Sequence, residues 1–293
     1  APSYFVDDER WNFPATGFQG PGPLALGDVN KDGFVDVLTM TSFKPQLVLN
    51  RGSALDPDPI WEARDNAHGA ALADLDGDGD LDLICGGDLG SHVIYENEGT
   101  ETAYAAVPVW SSETWSNTPR VAVGDLDLDG DLDLVFGNNA FTDLVWPNHL
   151  FLNNGSGDLA TMFPGTPDWE FGLDRTLDMA LGDVDGDGDL DLFVVNTEEA
   201  SLHLNRHDEG AQWRESVFDT TAAWTLPVPQ PQLDVFFCLE LGAVDRNGTL
   251  DLVLGTTSPG LVSPPQVDLL LLNEGAPPFF ATPAIPLPST GRE

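Results

Sequence analysis

The sequence is poor in basic residues and in long apolar runs, and both shortages exclude classes of protein. Only 11 lysines and arginines stand against 49 aspartates and glutamates, which gives a formal net charge of -38. Nucleic acids and anionic membranes are bound through a basic surface, so neither is expected as a partner. No run approaches the roughly 18 apolar residues of a membrane-spanning helix, so membrane insertion is not expected.

Cysteine is also scarce. Cys85 and Cys238 lie in the apolar stretches LDLICGG and DVFFCLELG, which favours two buried free thiols over the alternative, a disulfide. The cysteines therefore do not indicate a cellular compartment. The first residues carry no signal-peptide pattern, as expected if Ala1 is a processed or trimmed start.

Helical periodicity is absent, whereas the 30 glycines and 23 prolines are typical of a turn-rich β protein. One acidic stretch of nine residues recurs five times. Acids or asparagines fill most of positions 1, 3, 5 and 9, and a glycine always follows position 5. The copies are Asp28–Asp36, Asp74–Asp82, Asp125–Asp133, Asp183–Asp191 and the degenerate Ala243–Asp251.

These nine-residue loops are predicted to bind calcium. Crowded carboxylates repel one another unless a cation lies between them, and oxygen ligands suit a hard divalent ion. The glycine allows the sharp turn around such an ion. A solvated acidic turn is the alternative for a single copy, but five copies in register favour calcium. An EF-hand is excluded, because Cys85, Phe136 and Val194 occupy the twelfth position, where that loop needs a bidentate carboxylate.

Each loop belongs to a longer repeat. The loops start at residues 28, 74, 125, 183 and 243, so the spacing is 46 to 60 residues. A short strand of small apolar residues precedes each loop, a second strand follows it, and a third ends in asparagine. A fourth strand is predicted around a tryptophan in four of the repeats: Trp61, Trp110, Trp169 and Trp213. Four antiparallel strands per repeat are the unit of a β-propeller, so the predicted fold is all-β with five blades.

The domain boundaries follow from these repeats. The propeller is predicted over residues 24–283, with a separate N-terminal segment 1–23 and an extended, frayed C-terminal tail 284–293. Segment 1–23 contains Trp11–Phe13, similar to Trp169–Phe171, and is a candidate to close the ring as the outer strand of the last blade; the alternative is a surface tail. The blades are predicted at about 24–63, 69–112, 120–172, 176–219 and 234–283.

The G-D-hydrophobic-D-x-D-G-x-hydrophobic-D units, each followed by an LxLN-type strand, resemble FG-GAP/VCBS repeats. These build the propeller of integrin α chains and of many secreted microbial proteins. The resemblance covers roughly residues 24–283, although propellers of this family commonly have six to eight blades and only five repeats are countable here.

The resemblance implies ligands from the side chains at positions 1, 3, 5 and 9 and from the carbonyl of position 7. In the four complete loops these are Asp28, Asn30, Asp32, Phe34 (carbonyl), Asp36; Asp74, Asp76, Asp78, Asp80 (carbonyl), Asp82; Asp125, Asp127, Asp129, Asp131 (carbonyl), Asp133; and Asp183, Asp185, Asp187, Asp189 (carbonyl), Asp191. The fifth loop keeps Asp245, Asn247, Thr249 (carbonyl) and Asp251. Because Ala243 replaces its first carboxylate and Arg246 adds a positive charge, about four strong Ca²⁺ sites and a weak or empty fifth are expected.

Calcium loops of this kind are weak sites that fill at extracellular calcium levels, so a secreted, periplasmic or cell-surface location is expected. In a propeller all of these loops share one face. The opposite face would receive aromatic and basic residues suited to a glycan or an extracellular protein, unless the tryptophans fill gaps between blades. The candidate ligand residues are His68, Trp115, Arg120, Trp146, His149, Arg175 and Trp224.

Three functions fit this pattern. A non-catalytic module for binding carbohydrate or for cell adhesion is favoured. A polysaccharide-lyase-like enzyme using His68, His92 and His149 with Arg120 or Arg175 is the alternative, and a calcium-stiffened spacer is the third. No G-x-S-x-G motif or zinc-type histidine spacing occurs, and none of the three tyrosines is expected on the ligand face, so no catalytic residue is assigned. The oligomeric state is not predicted.

Overall fold

The computed structural model describes residues 25–100, 103–139, 146–172, 175–205, 207, 217–227, 235–245, 247–257, 268–280 and 285–287. These residues form five antiparallel β-sheets, and no α-helix occurs among them. Accordingly, the described part of the chain has no helix of the length and apolar character needed to cross a membrane. The proposed ring-closing segment 1–23 lies outside the described residues.

The sheets follow one another along the chain, and within each the strand order is the sequence order. The first sheet consists of β1 (Ala25–Gly27), β2 (Asp36–Thr41), β3 (Lys44–Val48) and β4 (Trp61–Glu62). The second consists of β5 (Ala67–Ala73), β6 (Asp82–Gly90), β7 (Val93–Tyr95) and β8 (Trp110–Ser111), with β9 (Ser116–Asn117) paired to the extended end of β6. The third consists of β10 (Arg120–Gly124), β11 (Asp133–Gly137), β12 (Asn148–Phe151) and β13 (Trp169–Phe171).

The last two sheets repeat the same plan. The fourth consists of β14 (Thr176–Gly182), β15 (Asp191–Asn196), β16 (Glu199–His203) and β17 (Trp224–Pro227). The fifth consists of β18 (Val235–Gly242), β19 (Asp251–Thr257), β20 (Leu269–Leu271) and β21 (Ile285–Pro286). In every sheet a nine-residue loop connects the first strand to the second, and the residue before the loop pairs with the aspartate at position 9.

Neighbouring sheets pack through their first strands. Contacts run in order from β1 to β5, β10, β14 and β18, and no comparable contact joins β18 to β1 within the described ranges. The apolar cores lie between consecutive sheets; one, for example, combines Phe193 and Leu202 of the fourth sheet with Leu252 and Leu271 of the fifth. Second and third strands are buried on both faces because each sheet inside the series has a neighbour on either side.

An asparagine after the third strand also connects neighbouring sheets. Its side-chain amide donates to the carbonyl at position 2 of the preceding sheet's loop, and in each case this asparagine is at most 2% exposed. The bonds are Asn97 Nδ2 to Val29 O at 2.9 Å, Asn205 Nδ2 to Leu126 O at 2.9 Å, and Asn273 Nδ2 to Val184 O at 2.8 Å.

The predicted first, second and third strands are confirmed, but two predictions about outer strands are wrong. The fourth sheet uses Trp224 in β17 rather than Trp213, which lies outside the described residues. The fifth sheet takes its outer strand from Ile285–Pro286, so part of the predicted frayed tail is ordered and occupies the position proposed for segment 1–23. Both cysteines are free, as predicted. Cys85 is also buried as predicted, whereas Cys238 on β18 is exposed.

We expect Asn97→Ala to lower the free energy of unfolding by about 1–3 kcal/mol, since it leaves the buried carbonyl of Val29 without its donor. Denaturant unfolding measures the change. Asn66→Ala is the matched control, because Asn66 is exposed and its truncation should change stability by less than about 0.5 kcal/mol. Equal effects of the two variants would show that the amide does not connect the sheets.

Candidate metal centres and ligand-binding surface

A buried aspartate at position 9 anchors each loop. In the second sheet Asp82 Oδ2 accepts the N–H of Leu75 at 3.2 Å, and Asp82 Oδ1 accepts the N–H of Asn97 at 2.9 Å. One carboxylate therefore fixes both the loop and the end of the third strand. The same two bonds, 2.7 to 3.0 Å long, recur at Asp36, Asp133, Asp191 and Asp251.

Three loops bring three carboxylates together. In each set, one oxygen from every member lies within 4.8 Å of the others, a spacing that a single cation could bridge. All nine residues were predicted as ligands. The sets are Asp74, Asp76 and Asp78; Asp125, Asp127 and Asp133; and Asp183, Asp185 and Asp191.

Unpartnered oxygens support a metal in these loops. Asp74 Oδ1 and Asp125 Oδ1, both at position 1, are buried without a hydrogen-bond partner among the described atoms. Leaving a carboxylate oxygen buried and unpaired is costly, and a bound cation would remove that cost. Oxygen-only donors of this kind fit a hard divalent ion, so the residues present fit the implied metal.

The aspartates at position 7 of the second and fourth loops differ in their partners. Lys31 of the first loop places Nζ 2.9 Å from Asp80 of the second loop, and this ion pair raises the pKa of Lys31. In the fourth loop Asp189 is buried with both oxygens unpartnered. Burial, together with the nearby carboxylate of Asp187, raises the pKa of Asp189 to about 8.

Three of the position 9 aspartates share this perturbation. Burial raises the pKa values of Asp82, Asp133 and Asp191 to about 7, although the two backbone N–H bonds that each accepts act in the opposite direction. Burial thus favours the protonated carboxyl in the second, third and fourth loops, and a cation that binds there would have to displace those protons.

The first and fifth loops differ from the other three. In the first, Asp28 accepts the N–H groups of Asp32 and Gly33, and Asn30 Nδ2 donates to Asp32. In the fifth, Asn247 Nδ2 donates to Asn273 O at 2.8 Å, so the amide is turned toward the chain. Arg246, expected to weaken this site, lies outside the described residues.

The histidines singled out for the ligand-binding surface are mostly internal. His92 and His149 are buried, with His92 Nε2 2.9 Å from His149 Nδ1, and His92 stacks on Phe136. Burial lowers the pKa of His149 to about 4 and that of His92 well below its usual value, so both are neutral. The prediction that they lie on an exposed surface was wrong. Phe136 and Phe151 cover them, and the sequence alone does not show that packing.

Other candidates are held by neighbouring groups or lie in the core. Arg120 Nε donates to Asp178 at 2.6 Å, and His68 Nδ1 lies 2.5 Å from Asn117 Oδ1. Trp224 is 9% exposed and packs against Phe280, so its placement on an exposed loop was wrong. Trp146 is half-buried and Arg175 is exposed.

Trp115 is the predicted aromatic residue that remains accessible. Its side chain is 70% exposed at the edge of a hollow of about 520 Å³ between β6, β7 and β8. Arg64, Asp65 and Asp88 also line this hollow, which therefore offers an aromatic plane beside both donors and acceptors.

Sequence reasoning missed a second cleft, of about 450 Å³, between the third and fourth sheets. Trp169, Glu170 and Glu199 line it together with Ser201 and His203. His203 Nδ1 lies 2.8 Å from the carbonyl of Asp219 and must donate to it, so in the neutral ring Nε2 is the acceptor, 3.2 Å from Ser201 Oγ. The alternation of Glu199, Ser201 and His203 along one strand was the available signal, because alternate residues share a face.

The family model for the FG-GAP-like repeat matches residues 28–85 and 74–136. The predicted FG-GAP-type repeats are thereby confirmed in this part of the chain. No curated protein sequence matches the chain.

Two solved structures have a similar fold. The biofilm matrix protein Bap1 of V. cholerae aligns over 88% of this chain and 39% of its own, with 15% identity and a TM-score of 0.51. An Agrocybe aegerita lectin, solved for its recognition of non-reducing terminal N-acetylglucosamine, aligns over 88% of this chain and 64% of its own, with 16% identity and a TM-score of 0.49. This chain thus spans under two thirds of either protein, and the likeness to Bap1 concerns the fold alone.

The raised pKa values predict that metal-free protein loses stability as pH rises from about 4 to about 8. In that window Asp82, Asp133, Asp189 and Asp191 lose their protons in the unfolded chain but keep them in the folded chain. The folded state therefore binds more protons, and raising the pH lowers the free energy of unfolding. The melting temperature of dialysed, metal-free protein measured across this range tests the prediction.

High salt is the control for this pH series. It screens repulsion between exposed carboxylates but leaves the burial of these four groups unchanged, so the fall in melting temperature should persist. A melting temperature that rises between pH 4 and 8, or a fall that salt abolishes, would contradict the assignment.

Proposed function

We propose that this protein is an extracellular, calcium-stabilised, open β-propeller that acts as a non-catalytic binding module. The observation that carries the calcium assignment is the three-carboxylate cluster in the second, third and fourth loops, with unpartnered oxygens in two of them. In this proposal the five sheets are blades. The position 1, 3, 5 and 9 side chains and the position 7 carbonyls hold about four ions, and the fifth loop is weak or empty.

Calcium's role in this proposal is structural. The loop fixes the first strand to the second, and the position 9 aspartate fixes the loop to the third, so an ion in the loop stabilises the whole sheet. At about 0.1 mM affinity and 1 mM calcium, each site contributes about 1.4 kcal/mol. Four sites would then supply a large share of a typical free energy of unfolding.

Removal of calcium is expected to lower the melting temperature, and more so at pH 8 than at pH 5.5. The ligands must lose their protons before an ion binds, and burial raises the pKa values of Asp82, Asp133 and Asp191 to about 7. Differential scanning calorimetry with and without calcium at both pH values measures the effect.

Elemental analysis of the calcium-loaded protein is the complementary measurement, and we expect closer to four ions than five per chain. Asp125→Ala, which removes a position 1 ligand, should lower the count by about one, whereas Ser53→Ala, an exposed change outside the loops, should not. An unchanged melting curve together with no bound metal would disprove the calcium assignment.

For the ligand we propose a glycan or an extracellular protein, bound on the side opposite the acidic loops at the hollow beside Trp115. An exposed aromatic plane next to Arg64 and Asp88 suits stacking on a sugar ring with hydrogen bonds to its hydroxyls. A similar fold in a biofilm matrix protein is compatible with an extracellular role. The second cleft, at Glu199 and His203, is the alternative place for the same kind of ligand.

The lyase-like alternative is weaker, because His92 and His149 are buried and neutral and cannot contact a polymer. Of the histidines assigned to that reaction, His68 is the one that is partly exposed, and it is hydrogen-bonded to Asn117. A purely structural spacer has the same sheets and loops but needs no ligand hollow.

We expect Trp115→Ala to abolish retention on an immobilised polysaccharide from a panel while leaving the melting temperature unchanged, since Trp115 is 70% exposed. Phe34→Ala is the matched control, because Phe34 is an exposed aromatic residue on the opposite side. The same incubations are analysed for shortened or unsaturated sugars.

The outcomes separate the candidates. Retention lost in Glu199→Gln but kept in Trp115→Ala would move the site to the second cleft. Sugar products would instead support the enzyme. If neither the wild type nor any variant is retained, carbohydrate is eliminated as the ligand, and a protein ligand or a spacer function remains.

A further inference from the structure

Three of the four junctions between consecutive sheets have a common construction. Two leucines of one sheet pack over a glycine of the preceding sheet. The first leucine lies two residues before the start of its acidic loop, and the second occupies position 8 of that loop. The glycine leaves so little room that an added Cβ would lie 2.5 to 2.8 Å from a leucine methyl group. The sets are Gly27 with Leu72 and Leu81, Gly124 with Leu181 and Leu190, and Gly182 with Leu241 and Leu250.

The first sheet carries the leucine side of this junction, and no described strand packs against it. Leu26 and Val35 occupy the two equivalent positions and are 61% and 52% exposed. Asn50 is the equivalent of Asn97; its Nδ2 donates to Val35 O within its own sheet, and within the described chain it has no position 2 carbonyl from another sheet. We call Leu26, Val35 and Asn50 the leading face.

The fifth sheet carries the glycine side, also uncovered. No described atom lies within 4 Å of the position a Cβ on Gly242 would take, in contrast to Gly27, Gly124 and Gly182. The position 2 residue Val244 is 52% exposed, whereas position 2 is at most 4% exposed in the other four loops. We call Gly242 and Val244, with the carbonyl of Val244, the trailing face.

We propose that the leading face of one copy of this chain docks on the trailing face of a second copy. The two faces are the separated halves of the junction that the chain forms between its own sheets, so they complement each other in shape, in apolar surface and in one expected bond from Asn50 Nδ2 to Val244 O. Exposed apolar residues gathered on one face are a feature of interaction sites. Such a head-to-tail contact is heterologous and forms rings or longer assemblies.

Charge sets the conditions for this contact. Each copy has a formal charge of -38, so two copies repel at low ionic strength. Salt screens this repulsion, and cations bound in the acidic loops would reduce it further. Association is therefore expected to strengthen with both.

Analytical ultracentrifugation of the calcium-loaded wild type in moderate salt, over about a hundredfold range of concentration, tests the proposal. We expect reversible, concentration-dependent association. Leu26→Asp on the leading face and Gly242→Val on the trailing face should each weaken it about tenfold or more. Val107→Asp is the matched control, because Val107 is 52% exposed but belongs to neither face and lies outside the acidic loops.

Mixing the two variants distinguishes this contact from others. Leu26→Asp keeps an intact trailing face and Gly242→Val an intact leading face, so an equimolar mixture should form a dimer although each variant alone is monomeric. An isologous contact between identical surfaces would not be rescued in this way.

Two results would overturn the proposal. One is a wild type that stays monomeric at every concentration. The other is a large loss of melting temperature in dilute Gly242→Val, since no described atom lies near the added side chain and a loss would show that the chain's own residues fill the trailing face.

Discussion

The repeated sheet depends on a buried carboxylate that accepts two backbone N–H groups. The aspartate at position 9 binds the start of its own loop and the residue that follows the third strand, as Asp191 does with Val184 and Asn205. Local backbone and distant backbone are therefore fixed by one side chain. Three of the four junctions between consecutive sheets add an asparagine bond to the same region, so strand geometry and sheet packing are set together.

That constraint also explains why a cation would stabilise the loops. Burying the position 9 carboxylate raises its pKa, and placing the acids of positions 1, 3 and 5 beside it adds repulsion that the N–H bonds do not remove. Asp80 meets part of this need with Lys31, which the neighbouring loop supplies. Asp74 and Asp125 each have a buried oxygen that accepts no hydrogen bond from a described group. A bound ion would be the remaining source of positive charge.

The sequence predicted the repeated strands well, because each follows from a local pattern: small residues before the acidic loop, apolar residues after it, and a terminal asparagine. It failed where the answer depended on distant segments. Trp224 and Trp213 are equivalent as local signals, but pairing of β17 with β16 placed Trp224 in the core. His92 and His149 looked accessible until the packing of Phe136 and Phe151 enclosed them. The three-carboxylate clusters could be anticipated in sequence, whereas the cleft at His203 required two sheets to be placed side by side.

The same local rules account for the incomplete ends of the series. A repeat that buries one side on the preceding sheet and the other on the following sheet leaves half of a junction exposed at each end of the series unless the two ends meet, and within the described residues they do not. A protein can mask such an end by degenerating its sequence, and the fifth loop has indeed lost its first carboxylate at Ala243. Its glycine and its apolar position 2 residue are nevertheless kept, at Gly242 and Val244, and the first sheet keeps Leu26. The fifth repeat thus combines an incomplete set of loop carboxylates with an intact packing surface, as expected if that surface has a partner.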